Sequence, residues 1–274
     1  MQYNTLIIDG PYLAHKSYQA PYKLTTTGGR DATMIHSFIR SLNSFRKQFN
    51  PETIIIAWES HGTPSWRKEQ YPAYKGTRGR PDEQFIYQLE DLQRLLFLFN
   101  VDQFYAFNNE ADDVIASYVE DNSKNIVIFT SDKDIMQLVN EKCFVYDGKV
   151  LYDFNKVKEK FFVNPKQIPD LLAIAGDKAD NIQGIDGFGF KKAAKILEKY
   201  KYIENISDIE SIAKYKKMLK VNKKLTTLNK CCPLVALEYL NCSKSIEAIL
   251  DKYELKKMKE KIGEYKLLGR NGGA

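Results

Sequence analysis

Carboxylates recur along this sequence where one site could collect them. Asp9 closes the apolar run "TLIID", Glu59 closes "TIIIAWE", and Asp132 with Asp134 follow a third run in "TSDKD". Glu110, Asp112 and Asp113 stand together in "NEADDVIASYV" where a helical pattern begins, so Glu110 and Asp113 share a face at i, i+3. Asp177 and Asp180 lie in "GDKADN", just ahead of a glycine-rich turn and a run of lysines. Acids at a helix amino terminus also serve as plain caps, so the trio alone does not define a site. Together the acids are harder to dismiss, because carboxylates drawn into one pocket raise each other's pKa values and a divalent cation removes that cost. Oxygen ligands with no His or Cys among them indicate Mg²⁺ or Mn²⁺ rather than zinc, in numbers that suffice for two ions or more. A pair of such ions suits phosphodiester hydrolysis, one activating a water and the other stabilising the leaving oxygen.

Two basic segments supply the charges that phosphates would need. In "YPAYKGTRGRP", Tyr74, Lys75, Arg78 and Arg80 cluster just before a helix. The segment reads equally as a polar loop or as a phosphate contact, with Lys and Arg on the transition-state charge and a tyrosine ring available to stack on an unpaired base. In "GIDGFGFKKAAKIL", Gly187 and Gly189 permit a tight turn, and a helix then opens with Lys191 and Lys192. A dinucleotide fingerprint would require a preceding strand and a third glycine, and both are missing. Backbone N–H groups brought close to a phosphate at a helix amino terminus fit this stretch, which would grip duplex backbone without reading bases.

These side chains need a scaffold, and the alternation of the chain indicates one. The β-branched runs at 5–9, 53–59 and 125–132 alternate with the amphipathic helical patterns "MIHSFIRSLNSFRKQF" and "EQFIYQLEDLQRLLFLF", which favours an α/β fold with a parallel sheet covered by helices. In such a sheet the ligand site lies at the carboxyl ends of the strands, where Asp9, Glu59 and Asp132 fall. After residue 150 the strand signals fade. Helical stretches follow near 165–176, 190–200 and 244–262, and the "GRNGGA" end reads as a frayed tail.

Composition bounds the function classes. The chain has 274 residues, 43% of them hydrophobic, enough for a real core in one large or two modest domains. Neither a signal peptide nor a membrane span is visible, so a cytoplasmic location is expected. Cys143, Cys231, Cys232 and Cys242 lack zinc-site spacing, and two are adjacent, so reduced thiols are expected. The net charge of +6 is uneven: 21 Lys and Arg face 25 Asp and Glu up to Gly189, against 20 facing 10 beyond it. A lysine-rich half is either a solvated helical surface or a nucleic-acid-facing one.

The segments "LIIDG", the W-E strand end, "YPAYKGTR", "EADD", "TSDKD" and "GDKADNIQGIDGFG", in that order, resemble the 5′ nuclease superfamily, as in the 5′→3′ exonuclease domain of bacterial DNA polymerase I and the stand-alone flap endonucleases of phages. The likeness covers most of residues 5–200 and weakens beyond about 205. It implies a PIN-like α/β nuclease domain over 1–180 with a central, mainly parallel sheet and a helical arch at about 75–100. A helical helix–three-turn–helix DNA-binding region over 181–274 would follow. One metal group would include Asp9, Glu59, Glu110, Asp112 and Asp132, with Asp113 close by, and a second Asp134, Asp177 and Asp180. Lys75 and Arg78 would contact the scissile phosphate, with Tyr74 near the unpaired terminal nucleotide. Arg80, Gly187, Gly189, Lys191 and Lys192 would bind DNA, with K⁺ held by carbonyls at the hairpin.

The family usually has aspartate where this chain has Glu59, so altered geometry or ion preference is expected there. The implied activity is two-metal hydrolysis of branched or 5′-ended DNA, including flaps, nicks and RNA–DNA primers, by a free-standing monomer, leaving 5′-phosphate and 3′-hydroxyl. The competing readings are a non-catalytic structure-specific DNA-binding protein, an RNA-directed PIN-like nuclease and a phosphatase with Asp9 as nucleophile. Against the last, "DGPY" lacks the second aspartate two positions on.

Overall fold

The structure is a computed structural model that describes residues 2–60, 63–206, 212, 214–239 and 245–265. Its centre is a seven-stranded sheet of order β6-β5-β4-β1-β2-β3-β7. Strands β1 (Thr5–Asp9), β2 (Thr53–Ala57), β3 (Asp102–Tyr105), β4 (Ile126–Phe129) and β5 (Cys143–Tyr146) are parallel. The antiparallel edges β6 (Leu151–Tyr152) and β7 (Val235–Ala236) complete it. Both faces of the sheet are covered, which explains why its inner strands read as unbroken apolar runs. In β1 and β4, Leu6, Ile8, Val127 and Phe129 enter one core while Ile7, Ile126 and Ile128 enter the other.

The first core is roofed by α1 (Gly10–Tyr18), α2 (Thr33–Phe49) and α4 (Glu83–Leu98), with Met34, Ile35, Phe38, Ile39 and Leu42 forming the buried stripe of α2 at helical spacing. On the opposite face lie α5 (Ala111–Glu120), α6 (Phe154–Phe161), α7 (Ile168–Ala175) and α8 (Phe190–Tyr200). Helix α9 (Lys216–Thr226) packs along α7, and its Asn222 amide donates to the carbonyls of Ala173 and Gln183.

Several expectations shift in detail. Of the segment expected to arch over the site, about 75–100, residues 83–98 form α4, whose Phe85, Leu92, Leu95 and Leu96 are buried against the core. The short α3 (Trp66–Gln70) and the loop 71–82 are what lie over the acids. The helical pattern at 244–262 breaks into α10 (Ile246–Lys252) and α11 (Lys256–Lys259), because Glu254 between them is left-handed and its carboxylate is drawn to Thr27. Strand β7 and α10 bring the second half of the chain back onto β3 and α4. Cys143, Cys231 and Cys232 are free thiols, while Cys242 and the "GRNGGA" end lie outside the described residues. Among the described residues no helix is long and apolar enough to cross a membrane.

Candidate metal centre

The strand order reverses between β4 and β1, and at that point a parallel sheet opens a crevice at its carboxyl end. Asp9 leaves β1 there and caps α1, accepting from Tyr12 N at 3.0 Å. Thr130, the first residue past β4, donates to the other Asp9 oxygen at 2.7 Å and accepts from Asp132 N, so both acids are fixed by one hydroxyl. Asp112 joins them from the first turn of α5. Burial pushes Asp9 up to about 6, and repulsion from Asp132 adds to it against the two hydrogen bonds. Asp112 is held well above the carboxylate range by burial and then by Asp132 and Asp9, and burial also raises Asp132. Negative charge is thus concentrated there, and Lys75, which favours the ionised form of all three acids, offsets burial and mutual repulsion only in part.

A second group lies beside the first. Asp134, Asp177 and Asp180 each present an oxygen within 4.8 Å of the others, and all three are buried. Asp134 is raised well above its ordinary value by burial and by Asp132, Asp180 and Asp177, and its buried Oδ1 has no hydrogen-bond partner. A buried carboxylate oxygen without a partner, on an aspartate grouped with two further carboxylates, fits a hard divalent cation. The loop carrying Asp177 and Asp180 is folded back tightly, with Asp177 and Ile182 exchanging backbone hydrogen bonds. Gly176 and Gly184 make that fold feasible: a Cβ on either would overlap the backbone of the other strand of the loop, and Gly176 has φ 78°. Lys133 Nζ supports Asp177 at 2.7 Å.

The basic loop closes over both groups. Lys75 Nζ donates to Glu110 Oε2 at 2.9 Å, its backbone N–H donates to the Asp180 carbonyl, and its own φ is 50°. Burial would lower the Lys75 pKa, but Glu110, Asp180 and Asp112 outweigh it and hold the ammonium charged. Arg78 Nη2 lies 2.8 Å from Asp180 Oδ1. Arg80 is exposed and has no ion pair among the described residues.

Two expectations need correction, those for Tyr74 and Asp113. Tyr74 is not free to stack on a base, because its ring is 2% exposed among Ile182 and Leu225 and its hydroxyl sits 2.9 Å from Glu110 Oε2 and 3.0 Å from Asp180 Oδ2. Its hydroxyl bridges the two acid groups instead. Asp113 does not join the metal acids, since both its oxygens accept from the Arg67 guanidinium, at 2.6 and 2.8 Å, with Asn229 N and Trp66 Nε1 as further donors. Glu59 is exposed and lines a small recess with His15, Trp58, Phe85 and Leu89.

At the hairpin, Gly187 has φ 76° and requires glycine, whereas Gly189 is extended and simply caps α8, where Lys191 and Lys192 are exposed. Sequence reasoning missed Arg67, which is 2% exposed and also donates from Nε to the Leu225 carbonyl, tying α3 and α5 to α9. It equally missed Thr130, Lys133, Gly176 and Gly184. Only the two glycines left a signal, flanking the paired aspartates.

Residues 4–162 match the family described as 5′-3′ exonuclease, N-terminal resolvase-like domain, and residues 163–241 match the 5′-3′ exonuclease, C-terminal SAM fold. The 5′-3′ exonuclease of Mycoplasmopsis pulmonis is 32% identical over 271 residues, which cover 91% of this chain and 90% of that protein. DNA polymerase I of Caldicellulosiruptor bescii is 31% identical over 94% of this chain, which spans only 33% of the polymerase. Among solved structures, the T5 D15 protein co-crystallised with metal ions shares the fold, with a TM-score of 0.68 at 22% identity over 96% of this chain and 99% of that one.

Proposed function

The chain belongs to the 5′-3′ exonuclease family, and from that premise we propose that it is a structure-specific 5′ nuclease cutting DNA phosphodiesters at single-strand to duplex junctions. The observation that carries this reading is the pair of adjoining carboxylate groups at the crevice, with Asp134 Oδ1 left unpartnered. Asp9, Asp112 and Asp132, with Glu110, would hold one divalent ion, and Asp134, Asp177 and Asp180 another. When bound, such ions supply an activated water and neutralise the leaving oxygen. Mg²⁺ is the ion we propose, with Mn²⁺ as a substitute, because the donors are all hard oxygens.

The protein's own groups do the positioning. Lys75 and Arg78, paired with Glu110 and Asp180, exchange those carboxylates for the scissile phosphate once the acids are neutralised, and stabilise charge developing on it. The turn at Gly187 with Lys191, Lys192 and a K⁺ ion holds duplex backbone, and Arg80 adds a phosphate contact from the other side. Contacts of this kind give strong salt dependence and little sequence preference. The substrates include flaps, nicks and RNA–DNA primers, cut by a cytoplasmic monomer to leave 5′-phosphate and 3′-hydroxyl. Incubating the protein with a 5′-labelled flap duplex in Mg²⁺ or in EDTA tests this. A product ending at the junction, formed only with Mg²⁺, is expected; tight binding with no cutting in Mg²⁺ or Mn²⁺ would leave a binding protein.

A further inference from the structure

Beside the acids, but built from other residues, α3 and α9 enclose an open groove of about 590 Å³ whose walls include Trp66, Gln70, Lys220, Lys223, Lys224 and Asn229. Its lysines are not equivalent. Lys223 is neutralised by Asp170 at 2.9 Å and Glu204 at 2.7 Å, whereas Lys220 and Lys224 are exposed and have no ion pair among the described residues. Lys217, one turn earlier on α9, is likewise exposed and unpaired among them. From 217 to 224 these cations extend about 10 Å along the helix. A lysine row on a helix is often only a solvated face. Here the helix is held at a fixed angle, because its opposite side is buried through Leu219, Asn222, Leu225 and Thr226.

The groove also carries an aromatic wall and opens toward the cutting site. The half-buried Trp66 indole donates to Asp113 at 3.3 Å and has the Arg67 guanidinium 4.5 Å from its ring centre, so it is a preset platform. Gln70 on the groove wall ends α3 and runs directly into Tyr71, so the groove adjoins the start of the loop 71–82 that covers the acids. Unpaired cations beside an aromatic ring are the combination that takes single-stranded nucleic acid, with phosphates on the cations and a base on the ring.

We propose that this groove holds the single-stranded 5′ arm of the substrate, with Lys220 and Lys224 on its phosphates and Trp66 under a base. The proposal rests on the nuclease reading above for its substrate. The test compares the unaltered protein with the double variant Lys220→Ala/Lys224→Ala on a duplex with a long 5′ flap and on the same duplex nicked without a flap. The variant should bind the flap substrate about tenfold more weakly, a loss at least about fivefold greater than on the nicked duplex, and its salt slope on the flap substrate should fall by about 1 to 2.

Trp66 fluorescence gives a second readout, because the other tryptophan, Trp58, is 2% exposed. Binding of the flap substrate should quench the unaltered protein more than binding of the nicked duplex does. Equal losses on both substrates would assign the lysines to the duplex arm and overturn the proposal, as would unchanged flap affinity or equal quenching. Cleavage in Mg²⁺, scored on the same samples, reports on the nuclease reading separately, since groove binding does not depend on turnover.

Discussion

At Lys75 the left-handed backbone, the bond from its N–H to the Asp180 carbonyl and the contact to Glu110 all fix one ammonium over the crevice. A cation placed to meet charge in the transition state contributes to turnover more than to binding, so Lys75→Ala should lower kcat about a hundredfold while KM changes less than about threefold. Steady-state kinetics on a flap substrate would show this; a loss confined to KM would move Lys75 to ground-state binding. Glu59 leads to the opposite expectation. The Trp58 indole is buried and bonded to Gln103, whereas Glu59 is exposed in a small recess beside His15 and makes no ion pair among the described residues. Glu59→Ala should therefore keep kcat/KM within about threefold, and a hundredfold loss would place this carboxylate in the metal centre after all. The type and order of the acids were legible in the sequence, but not their direction. In "EADD" nothing distinguishes the aspartate that faces the crevice from its neighbour, because that choice is made by Arg67, 46 residues away in sequence from Asp113.

At the scale of elements, the long amphipathic helices α2, α4 and α8 could be read from periodicity, because each buries a stripe on a sheet face or a neighbouring helix. The edge strands β6 and β7 could not, since two residues carry no period and their strand state comes from pairing with β5 and β3. The loop between α7 and α8 lies between these cases: its aspartates are conspicuous, while the contact of Gly176 with Gly184 that folds them back is tertiary. Gly184→Ala should force that contact apart, with a cost of about 2 kcal/mol or more and a loss of divalent-ion binding out of proportion to it. Chemical denaturation and calorimetric ion titration on the same sample would separate the two effects. Unaltered ion affinity would mean that the glycines serve packing alone. Arg67 acts between elements in a similar way, its one guanidinium joining α3, α5 and the end of α9. Arg67→Gln leaves Asp113 buried without its partner and should cost about 3 to 5 kcal/mol.

For the whole molecule, the crevice makes stability depend on pH and on metal with a definite sign. Asp9 is raised to about 6 from an unfolded value near 3.9, so the folded protein binds the extra proton and the stability this provides is present at low pH and is lost as pH rises toward 6. The size of that loss is about 2 to 3 kcal/mol. Asp112 and Asp134, held well above their ordinary values, extend it to higher pH. His15 and His36 act in the opposite sense, because burial lowers them and their charging at low pH destabilises the fold. Comparing the protein with Asp134→Asn cancels the histidines. In EDTA at pH 8 the variant should melt several degrees higher, with a shallower fall in Tm as pH rises, since a neutral amide replaces a buried charge. Saturating Mg²⁺ should reverse the order, raising the unaltered protein by mass action and the variant much less. Melting curves in the four combinations decide it. A variant that melts lower in EDTA would mean that the Asp134 charge is compensated within the protein, and the metal centre would lose the electrostatic strain that argues for it.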